Sequence, residues 1–249
     1  MRYRGKRAGR RFGRRVSALK ARSGRRRYGA RKVLRKAKKG AGRPSTAVIR
    51  QPSACPDRLF VKLVFSERLT WTQASGNVSA NVYRLNSMFD PDATGGGVQP
   101  YFFDQWATLY YNYRVKASKI EFTVMCGGNT HNNAIAFILP SDEATAFGTT
   151  SQDLVLEQPR CKFRALKMGY PGVGQTKLSH YMDMERVSGF SKVQTAGTDF
   201  GALVSADPAQ LGYWHIGTWC PDGNTPNLNT ITKITYYAEF YNRKRPALS

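Results

Sequence analysis

Acidic residues are scarce in this chain: 16 Asp and Glu stand against 39 Lys and Arg in 249 residues, and none of the 16 lies in residues 1–43. Long apolar runs are missing. Nothing approaches the ~18 consecutive apolar residues that a helix needs to cross a bilayer, which excludes a helical membrane span. No apolar run follows the N-terminal charges, so they do not read as a secretory signal. There are four cysteines, Cys55, Cys126, Cys161 and Cys220, and no pair has the spacing of a metal knuckle or a redox motif. They read as free thiols, with Cys126 and Cys220 as small buried apolar residues. That usage points to an intracellular assembly site, where the glycosylation sequon Asn77–Ser79 has no meaning. With three histidines, His131, His180 and His215, no metal site and no cofactor is expected.

What is abundant is positive charge, and it is unevenly placed. Residues 1–43 hold 20 of the 39 basic residues, and the rest of the chain keeps 19 against 16 acidic, a net of +3. The basicity therefore belongs to a tail. A segment about half positive cannot collapse, because self-repulsion and low hydrophobicity leave nothing to offset chain entropy; residues 1–43 are expected to be a disordered arm. Such an arm binds polyanions by displacing counterions from phosphates, with no need of base sequence. Its basic residues are Arg2, Arg4, Lys6, Arg7, Arg10, Arg11, Arg14, Arg15, Lys20, Arg22, Arg25, Arg26, Arg27, Arg31, Lys32, Arg35, Lys36, Lys38, Lys39 and Arg43. Arginine predominates, which suits forked contacts to phosphate. Tyr3, Phe12 and Tyr28 are interleaved among them as candidates for stacking on unpaired bases. Twenty charges exceed what a nuclear-import signal requires, so import is a second, overlapping role. Residues 44–57 hold three prolines and read as an extended linker.

From Arg58 the chain becomes a series of strand patterns. Leu59, Val61, Leu63 and Phe65 alternate with Phe60, Lys62, Val64 and Ser66. Further strands are expected over 77–85, 114–126, 135–139, 161–168, 176–187, 213–220 and 231–241. In the last, Ile234, Tyr236, Ala238 and Phe240 form the inner face. Residues 142–158 read as a long connection and 189–208 as exposed loop. Eight to nine strands with uneven loops favour a single all-β, two-sheet sandwich over residues 58–249. Arg58 and Lys62, just after the linker, are placed to continue the arm's basic surface or to form a solvated strand edge.

No catalytic constellation is expected. In His180, Asp183 and Glu185, a strand would put 183 and 185 on one face and 180 on the other, so the three do not converge. Gly95–Gly97 lacks the Gly-Lys-Ser/Thr ending that holds phosphates and reads as a flexible loop.

The densest signal lies at Tyr101–Tyr113, where seven of thirteen residues are aromatic, marking a packing centre. Phe102, Trp106, Leu109 and Tyr113 recur at helical spacing, with Asp104 as a candidate cap. From Ile120 the period becomes two: Ile120, Phe122, Val124 and Cys126 point one way, Glu121, Thr123 and Met125 the other. Phe103, Trp106 and Tyr110 are expected in core or subunit contacts rather than against bases.

The segment MFDPDATGGGVQPYFFDQWATLYYNYRVKASKIEFTV, Met88–Val124, resembles the capsid proteins of small circular single-stranded-DNA viruses, the circovirus-like group. An Asp-Pro turn, a Gly-rich loop, Gln-Pro, Phe-Asp-Gln-Trp and Tyr-x-x-Tyr-Arg-Val recur there in order. ITYYAEFYNRKR, Ile234–Arg245, resembles their last strand, and the basic N-terminus resembles their internal arm. The resemblance implies an eight-stranded jelly roll, a shell of sixty copies and circular single-stranded DNA held by the arm. It also implies host nuclear-import receptors as partners, an attachment factor on the host, and location in the virion and, during assembly, the host nucleus. A coat protein of a small single-stranded-RNA virus would show the same arm, because phosphate contact is blind to the sugar. A cellular nucleic-acid-binding module would be expected to carry a basic or aromatic reading face on its folded body, and this body is nearly neutral.

Overall fold

The computed structural model describes residues 55–72, 76–94, 98–127, 134–145, 152–168, 173–221 and 227–245. The arm and nearly all of the linker lie outside them, as do the Gly95–Gly97 loop and His131.

Ten strands run through the described residues: β1 (Arg58–Thr72), β2 (Ser79–Arg84), β3 (Tyr110–Gly127), β4 (Ile135–Ser141), β5 (Lys162–Ala165), β6 (Lys167–Met168), β7 (Val173–Asp183), β8 (Gly201–Leu203), β9 (Tyr213–Trp219) and β10 (Asn227–Arg243). Four short helices join them: α1 (Phe103–Leu109), α2 (Gln152–Glu157), α3 (Met184–Ser188) and α4 (Lys192–Thr195). The larger sheet has the order β1-β10-β3-β7-β6, with β8 also on β3, and the smaller has the order β2-β9-β4-β5. Every pairing is antiparallel. With the short β6 and β8 set aside, four strands face four, and chain-distant strands lie side by side in each sheet. That is the connectivity of an eight-stranded jelly roll.

Alternation builds the larger sheet. In β10 the inward residues Leu228, Thr230, Thr232, Ile234, Tyr236, Ala238 and Phe240 are buried, and Ile231 and Lys233 between them are exposed. In β3, Ile120, Phe122 and Val124 are fully buried, and their neighbours Glu121, Thr123 and Met125 are half-buried on the other side. A bulge between Tyr237 and Ala238 lets both strands keep their apolar sets inward past Lys116 and Ala117. β4 departs from simple alternation, because it is buried on both faces. Ala136 and Ile138 join the main core, whereas Phe137 and Leu139 pack outward with Val78, Trp219 and Val155 of α2 in a second cluster.

The aromatic stretch is the centre of the main core. Phe240 of β10 meets the rings of Phe103 and Tyr110, each at 5.9 Å, and of Trp106 and Tyr113, each at 6.5 Å. Buried tyrosines keep partners at the rim: Tyr110 donates to Pro56 O at 2.7 Å, Tyr113 to Ala206 O at 3.0 Å and Tyr236 to Arg84 O at 3.0 Å.

Five sequence expectations are corrected here, the first being residues 142–158, read as connection, which hold α2. The helix α1 ends at Leu109 and buries Phe103; Phe102 and Leu109, placed on its inner face by spacing, are exposed. Its N-cap is Phe102, in the left-handed region at φ 70°, with no side-chain cap, so Asp104 only lies in the first turn. Residues 184–187, read as strand, belong to α3. Here Asp183 accepts from Arg186 N and Gly189 closes the helix at φ 74°. Residues 189–208, read as loop, hold α4, a 3-10 turn at Thr198–Phe200 and β8, and bury Phe200 and Ala202. Short elements of this kind carry too few periods to register in sequence.

Removing the central ring should be costly. Phe240→Ala is expected to lower unfolding free energy by about 3–5 kcal/mol, whereas Val193→Ala, at an 84% exposed position, should change it by less than ~0.5 kcal/mol. Urea unfolding followed by tryptophan fluorescence checks the contrast.

Candidate nucleic-acid interface

All twenty basic residues assigned to nucleic-acid binding, with Tyr3, Phe12 and Tyr28, fall in residues 1–43, outside the described residues. The geometry that can be examined is that of the body. There, Arg58 and Lys62 stand at the start of β1, an outer strand of the larger sheet, and both point away from the core, in alternation with Leu59 and Leu63. Arg58 donates to the buried carboxylate of Glu239 at 3.1 Å, and Lys116 reaches the other oxygen of Glu239 at 2.9 Å. The Lys62 ammonium lies 5.9 Å from the centre of the Tyr237 ring, and that of Lys116 lies 4.3 Å from the ring of Phe60.

A second set gathers around Glu121 on the same outward face. Its carboxylate pairs with Lys119 at 2.7 Å and Lys177 at 3.3 Å. The hydrogen bond from Lys119 holds the Glu121 carboxyl below its ordinary range, against an opposing desolvation effect. Burial raises the Tyr181 phenol, with the nearby Asp183 charge adding to it, so this ring stays neutral beside Tyr237, 5.9 Å away. At the edge of β7 an open cleft of about 700 Å³ is lined by Lys162, Phe163, Arg164 and Lys177, among others. Lys162 and Arg164 reach across to carbonyls of Ser179 and Lys177, each at 3.2 Å.

Reading by alternation found Arg58 and Lys62. It passed over Lys116, Lys119, Lys177 and Lys233, which share their face. The signal was available in the parity of β3, β7 and β10, but only strand order shows that the four strands lie side by side.

Phe103 and Tyr110 are buried in the core and Trp106 packs against it. The exposed aromatics of that stretch are Tyr101, Phe102 and Tyr111.

The residues weighed for catalysis do not come together. His180 is buried, with Nε2 3.0 Å from the Arg160 carbonyl and its ring 5.5 Å from that of Trp214. Asp183 caps α3, and Glu185 lies on that helix rather than on a strand face with Asp183. His215 is buried in β9, with Nε2 2.8 Å from the Glu143 carbonyl. Among the described residues no three His, Cys, Asp or Glu side chains gather as a metal site, and Cys55, Cys161 and Cys220 are thiols.

No protein-family profile and no curated protein matches the sequence. Solved structures resemble its architecture at low identity. The BFDV capsid protein, solved as a decamer, is 16% identical, with a TM-score of 0.44, 74% of this chain covered and 99% of that one. As a 60-mer the same capsid protein is 13% identical, with a TM-score of 0.44 and coverage of 77% and 97%. A chain of the mud crab tombus-like virus is 11% identical, with a TM-score of 0.44 and coverage of 81% and 96%. Likeness at this level transfers no function.

The histidines give the body a defined acid response. Desolvation pushes His180 and His215 below the ordinary 6.5 and outweighs their carbonyl contacts. The unfolded chain then takes up protons first as pH falls, so stability is full above about pH 6.5 and is lost below it, until the buried rings also protonate. Glu121, whose carboxyl is lowered, loses its contribution only below its ordinary 4.5. Tm should therefore fall between pH 6.5 and 5, and the pH slope should flatten in His180→Gln/His215→Gln. A Tm that does not change over that range would contradict the assignment.

Proposed function

We propose that the chain is a viral coat protein whose jelly-roll body, residues 58–249, associates with copies of itself into a small icosahedral shell. Residues 1–43 are its packaging arm and residues 44–57 the linker. The arm lies inside and neutralises the packaged genome, circular single-stranded DNA. The observation that carries this reading is the division of charge: twenty basic and no acidic residues in the first 43, then a nearly balanced chain folded as a jelly roll. A polycation on a shell-forming domain can condense a polyanion without reading its sequence. Sixty copies carry about 1,200 arm charges, enough to offset roughly a thousand phosphates by counterion release.

The choice of DNA, the sixty-fold shell, nuclear import through the arm and attachment to a host factor all rest on the resemblance of Met88–Val124 and Ile234–Arg245 to circovirus-like capsids. The second reading is the same shell around single-stranded RNA. The arm and the sandwich fit it equally well, since neither distinguishes the sugar.

Deleting residues 1–43 tests the arm. The truncated protein should keep its β-sheet circular dichroism and lose most of its nucleic acid on purification. Its binding to an oligonucleotide should show a much shallower dependence on salt, since each lost phosphate contact on a single strand removes ~0.7 from the log–log slope. An unchanged slope would overturn the assignment.

A further inference from the structure

The two outward faces of the sandwich are treated differently by the fold. That of the smaller sheet is apolar at Phe137, Leu139 and Trp219 and is covered by Val155 of α2. That of the larger sheet is polar, basic and aromatic; it is open on β1 and β7 and partly buried on β3 and β10, and α3 and α4 flank its end at Arg58 and Arg114. The register fixes which residues share it. Lys62 pairs with Tyr237, Ser66 with Lys233 and Arg68 with Ile231 across β1 and β10; Lys119 pairs with Tyr181 and Thr123 with Lys177 across β3 and β7. With Arg58, Lys116 and Arg114, the register partner of Glu239, eight basic residues stand on this face. Its acidic residues are three: Glu121, Asp183 and Glu239. Glu239 is buried beneath Arg58 and Lys116, and Asp183 is held by Arg186. Most of the body's other acidic residues sit in helices and connections, so a net charge of +3 for residues 44–249 conceals a strongly sorted surface.

We propose that this face is a second, folded binding surface for single-stranded nucleic acid. It deepens the coat-protein reading and rests on it. Lys62, Lys177 and Lys233 take backbone phosphates, and Phe60, Tyr181 and Tyr237 offer ring faces to unpaired bases. Phe60 and Tyr181 are 66% and 48% exposed, so both side chains are open to solvent on this face. Neighbouring strands lie about 4.8 Å apart and rise about 3.3 Å per residue, so the patch from Phe60 to the row of Lys177 measures roughly 14 by 26 Å. That is wide enough for an extended single strand with its bases splayed. A second copy of the same face is a poor occupant, since a two-fold contact would set eight cations against eight. Chain order adds continuity: the basic arm leads through its linker into β1, an outer strand of this sheet. A contact begun by the arm can thus pass to the sheet on the same strand of nucleic acid.

The test uses full-length protein with a 20-nucleotide dT or rU probe, ultraviolet cross-linking and peptide mass spectrometry. Cross-links are expected in the arm and also at Phe60, Tyr181 or Tyr237. Lys62→Ser/Lys177→Ser/Lys233→Ser, whose sites are all exposed, should keep the wild-type Tm while the log–log salt slope of binding becomes shallower by about 2. The relative affinities for dT and rU identify the sugar, and a preference for either upholds the surface. Cross-links confined to residues 1–57, with an unchanged slope in the triple variant, would overturn this inference and leave the arm's role standing. No cross-link in either region would overturn both.

Discussion

Closure of the sandwich over Phe240 is the interaction on which the rest depends. The ring sits on β10, the strand that pairs with both β1 and β3 in the larger sheet. It gathers Phe103, Trp106, Tyr110 and Tyr113. Because strand periodicity is two, this packing also fixes the other face. A one-residue slip of β10 would send Lys233 and Tyr237 inward and Ile234 and Tyr236 outward. Burial of the apolar set therefore holds the outward lysines and tyrosines in their positions. The order of charges on the surface is a consequence of the order of rings in the core.

The same rule of solvation separates the chain into parts. Residues 1–43 carry twenty basic and no acidic residues, the composition of the proposed packaging arm. The body buries few charges and pairs the buried Glu239 carboxylate with Arg58 and Lys116. It covers one outward sheet face with apolar side chains and leaves the other open with an excess of cations. A shell protein of this kind has two tasks, closing on its neighbours and holding a densely charged polymer. In the proposed coat protein the second task falls chiefly to the arm, and the proposed binding face of the larger sheet would give the sandwich a share in it.

The long strands were legible in the sequence because each carries several repeats of a two-residue period. β1, β3 and β10 emerged with their inner faces correct, and with them the two-sheet architecture. The resemblance at Met88–Val124 supplied the jelly-roll order. Where two periods or fewer were available, reading failed: the α1 face was displaced by one residue, and α2, α3, α4 and β8 were missed. The arm is an expectation from composition alone, and its twenty basic residues fall outside the described residues. The basic sheet face was hidden for a different reason. Net charge sums over a surface, whereas binding depends on which strands lie together, and no local pattern reports that Lys62, Lys119, Lys177 and Lys233 share a plane.

The central claim, a shell that closes around nucleic acid, is tested most directly by electron microscopy of purified full-length protein. The absorbance ratio at 260 and 280 nm should be taken on the same size-exclusion fraction. Uniform closed particles with a high ratio are the expected result. Monomers or dimers across salt and pH, with no particles even after nucleic acid is added, would contradict the account.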